Sequence, residues 1–292
     1  MSNRLSINDV KLQGYDTFFR GKKEKDEGEK IVEVDTNELF DFKGHPFRIR
    51  ENKLLEMVDS IKVHGVLVPG IVRKKEYGGY EIIAGHTRKR ACELAGITKM
   101  PVIVKDIGDD EATIIMVDSN IQREDILPSE KAKAYKMKYD AIKNQGAAGN
   151  SLRQIGEENG ENYKSVQRYI WLARLNDELL EWVDTRRLGL GQGVDLSWLD
   201  ETEQNLVLKI LKEQNRNLSL KESAIIKELS KGKKLDEITL LRMFASEKKV
   251  KRKVSLDQKR LDSYFTPDVT EQEIMDIIIS LLEKWKTDKG DA

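Results

Sequence analysis

The sequence predicts an α+β, multidomain chain: a small α/β domain, then an all-helical middle domain, then a small C-terminal unit. Three observations carry this. Over residues 30–106 apolar runs switch between strand and helix spacing, the pattern of a sheet layered with helices. From about residue 109 to 245 only helical spacing appears. After a basic run at Lys248–Lys253, one last amphipathic stretch starts at Thr270.

Bulk properties fit this division. The 292 residues are enough for two or three cores. Lys plus Arg and Asp plus Glu both number 51, a formal net charge of zero. That argues against a chain that coats nucleic acid wholesale, and leaves any nucleic-acid role to a local basic face. A single cysteine, Cys92, rules out an internal disulfide. With only His45, His64 and His86 beside it, the chain has few zinc ligands. No run approaches the roughly 20 apolar residues of a membrane span. Met1 to Lys30 lacks a signal-peptide pattern, so the expected compartment is the cytoplasm.

Residues 1–29 read as a flexible arm, because the mixed charges of residues 21–29 bury nothing that would offset ordering. The α/β domain is placed at 30–117. Ile31–Val34 is its first strand. Leu54, Leu55, Met57, Val58 and Ile61 form a helix stopped by Gly65. Ile71–Arg73 and Tyr80–Ala84 flank the Tyr77-Gly78-Gly79 turn and suit a hairpin. Gly85 breaks the second strand. Thr87–Ala95 is a helix closed by Gly96, and Pro101–Val104 the last strand.

The helical domain is placed at 118–247. Asp109–Glu111 put acid at a helix start. Pro128 opens a helix that runs to Asn144, and 146–150 read as a turn. Gly189–Gly193 reads as a break, and further helices cover 201–213, 219–230 and 236–245. The last unit, 248–292, pairs a basic linker with a helix. Thr270–Glu273 fits a capping box, and Ile274, Ile277, Ile278, Leu281, Leu282 and Trp285 repeat at helical spacing. A lone helix is marginal in water, so this stripe should pack on Val254–Phe265, another subunit, or both.

Three segments carry chemistry. In 151–175, Ile155 and Val166 suit the crook of a helix-turn-helix, Gly156 the close approach and Gly160 the turn. Lys164, Ser165, Gln167 and Arg168 open the second helix, and no acid follows before Asn176. Such a helix can enter a major groove, with Lys164 and Arg168 meeting phosphate or guanine and Gln167 adenine. The bland reading is a helical hairpin with a solvated charged face, while Trp171, Leu172 and Leu175 read as core.

In the second segment, Gly85-His86-Thr87-Arg88-Lys89-Arg90 joins a strand to a helix N-terminus, where free N–H groups suit phosphate. Arg88 and Arg90 add bidentate donors. The bland reading has these arginines facing water. His86 reads better as an N-terminal hydrogen-bonding residue than as a general base, and Cys92 as a buried inert thiol. In the third segment, Asn120 near an acid suits a hard cation against phosphate, or else simple helix capping.

In this order the segments resemble the ParB family of plasmid and chromosome partition proteins, over roughly residues 31–175. His45-Pro46-Phe47-Arg48-Ile49-Arg50 is similar to the family's Asn-Pro…Arg opening, and Gly65–Pro69 to its Gly-x-x-x-Pro. Gly85–Arg88 corresponds to its Gly-Glu-Arg-Arg phosphate loop, and Asn120–Asp125 with Pro128 and Glu130 to its most specific segment. The resemblance implies a ParB/sulfiredoxin-like domain that binds CTP through Arg50, Gly85, His86, Thr87, Arg88, Arg90, Asn120 and Arg123, with Asn120 on Mg2+. It implies a homodimer that binds a centromere-like site on double-stranded DNA and closes as a sliding clamp. It also implies an arm that meets a ParA-type ATPase, and a protein associated with the nucleoid or a plasmid. Two positions depart. His86-Thr87 replaces the family's Glu-Arg, and Ser119 replaces a Glu that would hold metal, leaving Asp118 or Glu124 as substitutes. Any activity would therefore be at most slow CTP hydrolysis. Two other classes stand beside this one: a helix-turn-helix repressor of a mobile element without a nucleotide switch, and a ParB-fold enzyme such as a serine kinase. Sulfiredoxin chemistry is disfavoured, because His86 occupies the slot of its reactive cysteine.

Overall fold

The computed structural model describes residues 30–146, 151–246, 258–261, 263–266 and 268–289. The predicted arm at 1–29 and the basic run at 248–253 lie outside them. The chain divides into two compact units, Met1–Leu240 and Leu241–Ala292.

The first unit starts with a mixed sheet. Its strands are β1 (Ile31–Asp35), β2 (Leu39–Phe40), β3 (Gly70–Lys74), β4 (Tyr80–Ala84) and β5 (Lys99–Lys105), in the order β1-β5-β3-β4-β2. β3 and β4 form the expected antiparallel hairpin, Val72 opposite Ile82. β3 also runs parallel to β5, and β1 closes one edge antiparallel to β5. β2 is an element the sequence did not reveal, since two residues show no period. Helices α1 (Glu51–His64) and α2 (His86–Ala95) end at Gly65 and Gly96, both at positive φ.

The sheet is covered on two sides, so the runs Ile71–Val72 and Ile82–Ala84 are apolar on consecutive residues rather than alternating. One core joins Val34, Val72, Ile82, Met100 and Val102 to Val58 and Ile61 of α1 and Ala91 and Cys92 of α2. Cys92 is fully buried and burial pushes its thiol up, which makes it inert. The other core starts at Ile71 and Ile83 and takes in Met116 and Val117 of α3 (Asp109–Ile121) and Tyr135 of α4 (Pro128–Asn144). It continues without a break to Ile155 of α5 (Ser151–Glu158) and to Val166 and Ile170 of α6 (Tyr163–Leu172).

Helices α7 (Asp177–Asp184), α8 (Leu190–Leu196), α9 (Glu201–Glu213), α10 (Leu220–Lys231) and α11 (Glu237–Ser246) follow. The expected break at Gly189–Gly193 is corrected, because Gly189 caps α8 and the next glycines are helical. Gly193 is there for packing: a Cβ would sit 2.6 Å from Leu172 and 3.2 Å from Val183. In the second unit, α12 (Gln258–Leu261) precedes α13 (Glu271–Lys289). The Thr270–Glu273 capping box forms: the Thr270 N–H donates to Glu273 at 2.9 Å and the Glu273 N–H to Thr270 at 3.4 Å. Ile277, Leu281, Leu282 and Trp285 lie exposed on α13. Among the described residues no helix is long and apolar enough to cross a membrane.

Candidate functional site

Strand β4 ends at Ala84, and Gly85 turns the chain into α2 at φ 117°, a left-handed conformation that suits glycine. The turn places the first residues of α2 on the wall of a cavity of ≈ 180 Å³. Gly85, His86, Thr87 and Arg88 line it from this loop, Ser119 and Asn120 from the end of α3, and Arg123 from just beyond. His45, Phe47, Arg48 and Ile49 close it from the segment before α1.

Sequence reasoning therefore placed six residues that the fold does gather: Gly85, His86, Thr87, Arg88, Asn120 and Arg123. Arg50 and Arg90 are not among the lining residues. Arg50 pairs with Glu130 at 3.2 Å and reaches the Asp125 carbonyl at 3.0 Å. Glu130 is buried and also accepts the N–H groups of Arg48 and Leu127, at 2.8 and 3.0 Å. Arg90 turns to Glu93 at 2.9 Å on the outer face of α2.

His45, Arg48 and Ser119 line the cavity and were not chosen from sequence as ligand-contacting residues. His45 stacks on His86, ring centroids 3.9 Å apart. The carbonyl of Phe47 lies 3.0 Å from His45 Nδ1 and can only accept, so Nδ1 carries the hydrogen. His86 Nε2 accepts the Phe42 N–H at 3.2 Å, so that nitrogen is bare. Burial, helped by His45, Lys89 and Arg88, pushes the His86 pKa down to about 3, and burial also lowers that of His45. Both rings are neutral near pH 7. With Nε2 occupied by the Phe42 amide, His86 ties the start of α2 to the segment after β2.

Arg88 donates to the carbonyls of Val68 and Pro69, which fixes its guanidinium at the cavity wall. Asn120 commits its two N–H donors to Met116 O at 2.9 Å and Ser119 Oγ at 3.1 Å, so Oδ1 is its remaining functional atom. Asp118 is not a substitute metal ligand. It binds the ammonium of Lys138, which is buried and also pairs with Glu158 of α5. Glu124 is exposed and outside the cavity lining. Among the described residues no cluster of three His, Cys, Asp or Glu side chains is placed to hold a metal. With no carboxylate in the lining, these residues do not make a magnesium site.

A second polar surface lies on the α5–α6 pair. A Cβ on Gly156 would sit 2.5 Å from the Glu161 carbonyl, so only glycine permits this approach. Gly160 takes the turn at φ 68°. Asn162 caps α6, its Oδ1 accepting the Ser165 N–H at 2.8 Å. Ile155 and Val166 are fully buried between the helices. Lys164 and Arg168 are exposed on α6, and Ser165 and Gln167 half-buried.

A strand-to-helix loop at a cavity, sharing a core with the α5–α6 pair, defines a class: a small α/β domain joined to a helical one. Comparison with known proteins narrows the class. Residues 20–121 match the ParB N-terminal domain family. The chain is 33% identical over 157 residues to the probable chromosome-partitioning protein ParB of Neisseria meningitidis, covering 54% of this chain and 53% of that one. It is 30% identical over 181 residues to the chromosome-partitioning protein Spo0J of Thermus thermophilus, covering 62% and 64%. It is 29% identical over 215 residues to the nucleoid occlusion protein of Listeria innocua, covering 70% and 74%. The chain thus covers about half the length of the Neisseria relative. A crystal structure of truncated ParB from Caulobacter crescentus complexed to the centromeric parS site matches at TM-score 0.41 and 23% identity, over 68% of this chain and 98% of that one. The same protein complexed with CTP-γ-S matches at TM-score 0.31 and 25% identity, over 62% and 99%. Residues 20–121 are thus similar to the ParB N-terminal domain, and the curated relatives that share this similarity are chromosome-partitioning and nucleoid occlusion proteins.

Proposed function

We propose that this protein is a sequence-specific DNA-binding partition protein whose α/β domain binds CTP in the Gly85 cavity. One observation carries the reading: residues from the loop, the end of α3 and Arg123 converge on one cavity, whose lining apart from Arg123 lies within the stretch similar to the ParB N-terminal domain. Arg88, Arg123 and the N-terminus of α2 meet the phosphates. The α5–α6 pair acts as a helix-turn-helix, with Lys164, Ser165, Gln167 and Arg168 toward double-stranded DNA at a centromere-like site. The exposed α13 stripe joins two copies into a homodimer. The dimer works as a CTP-gated clamp with a ParA-type ATPase, in the cytoplasm on a nucleoid or plasmid. Magnesium enters on the nucleotide, since the wall supplies no carboxylate.

Calorimetry with CTP, and with ATP and GTP as controls, tests the nucleotide. Selective CTP binding that Arg88→Ala abolishes supports the reading. Equal heats from all three nucleotides, or none from any, overturn it.

A second reading has its own support. At ≈ 180 Å³ the cavity is smaller than the ~300 Å³ at which ligand pockets usually begin. In that reading the α/β domain is a scaffold and the protein a repressor of a mobile element. Retention on closed circular DNA separates the two, because only a clamp responds to CTP.

A further inference from the structure

Trp171 and Trp198 form a patch that the groove-reading residues do not account for. Lys164, Arg168 and Trp171 stand at i, i+4 and i+7, so they share one face of α6. The Trp171 ring meets that of Trp198, just past α8, with centroids 5.5 Å apart. Trp198 stays 43% exposed, unusual for so large a ring in a well-packed helical region.

Three cations surround it, one just past α6 and two on α10. Arg174, Lys227 and Lys231 lie 5.9, 5.2 and 5.9 Å from its ring centre. A ring face attracts and orients cations at this range. The acids beside them are accounted for. Asp195 holds Lys227 at 3.1 Å and Glu228 holds Lys231 at 2.7 Å. Arg174 is exposed, and among the described residues no ion pair engages it. The Lys231–Glu228 pair is also exposed, and water weakens such pairs. Lys231 can therefore leave its partner for a stronger anion at small cost.

We infer that the Trp198 patch is a second, sequence-independent contact to the DNA backbone, where Arg174 and Lys231 meet phosphates beyond the base pairs faced by Lys164 and Arg168. The inference rests on the helix-turn-helix reading of α5–α6. The occupant is a phosphate-bearing duplex because the basic surface continues along the same α6 face. A rigid indole holds the cations at fixed spacing, which favours a regular polyanion.

The test is binding of the full-length protein to a long duplex of mixed sequence at several salt concentrations. The double variant Arg174→Gln/Lys231→Gln, both exposed sites, is compared with wild type. The slope of log affinity against log salt should become shallower by about 0.9 for each phosphate that the variant no longer neutralises. Relative affinity among duplex sequences should not change. A double variant with the wild-type slope overturns the patch. So does a variant that changes sequence preference while keeping the slope. Lys164→Ala/Arg168→Ala serves as the reference: if it weakens binding while the patch variant does not, only the patch proposal fails. If wild type binds no duplex at all, the helix-turn-helix reading fails first and takes the patch with it.

Discussion

The cavity at Gly85 and the open face of α6 are both rich in cations, but they hold them differently. At the cavity two of the three lining arginines are already engaged: Arg88 with the Val68 and Pro69 carbonyls, Arg123 with Asp125 at 3.6 Å. On α6, Lys164 and Arg168 stand exposed, and among the described residues no ion pair engages them. A ligand at the cavity must displace or share existing bonds, which favours shape and a fixed set of partners. A polyanion at α6 displaces mostly water and counterions, which favours charge and makes binding salt-dependent. The difference predicts a selective site beside a steering surface.

Breaking the link between the two regions should have the largest effect. Lys138 is buried between Asp118 of α3 and Glu158 of α5. Lys138→Ala leaves both carboxylates without their cation. It should lower unfolding free energy by about 3 kcal/mol, the low end for breaking a buried pair because Glu158 is partly exposed. Urea unfolding measures this, and a loss within experimental error would show that the pair contributes little.

Gly156→Ala affects the helix pair alone. Its Cβ would meet backbone, which cannot rotate away, so about 1–3 kcal/mol should be lost. DNA binding should fall with it, while CTP heats stay near wild type. If both activities fall together, the regions are less separable than the contrast holds.

The neutral histidines affect the cavity alone. His86 resists protonation when folded, with a pKa near 3 against the ordinary 6.5 when unfolded. As pH falls below 6.5, the unfolded chain takes up a proton that the folded chain refuses. The stability this neutral ring contributes is therefore present above pH 6.5 and is lost on acidification toward pH 3. His86→Gln should flatten the fall in melting temperature between neutral and mildly acidic buffer. An unchanged slope would mean other groups control acid sensitivity.

Arg90→Ala should do least. Its surface pair with Glu93 predicts a stability change within about 0.5 kcal/mol, and its distance from the lining predicts unchanged CTP heats. A marked loss of CTP binding would place Arg90 at the ligand after all.

These contrasts show where sequence reading works. Period and punctuation are local, so the helix from Pro128 to Asn144 and the Gly156 and Gly160 positions can be read directly. The glycines at 189–193 mislead because their reason is distant: Gly193 makes room for Leu172 and Val183. The cavity was half legible. Gly85–Arg88 and Asn120–Arg123 are compact motifs, but the stacking of His45 on His86 joins residues far apart in sequence. Arg90 is read from its charge and Arg50 from the family's opening motif, and neither reveals which carboxylate a side chain will find. Asn176, which caps α7 at 2.9 Å, was a signal that could have revealed that helix.

The core that runs from Ile83 through Met116 and Tyr135 to Ile155 and Val166 has a consequence for inheritance and for engineering. A chimaera that takes only the segment after α4 would exchange half of a packed interior and expose the other half. On the proposed reading of α6, new DNA preferences are more readily reached by changing a few side chains on its outer surface than by trading whole segments with a relative. A graft intended to fold should carry α3 and α4 along with the helices they bury.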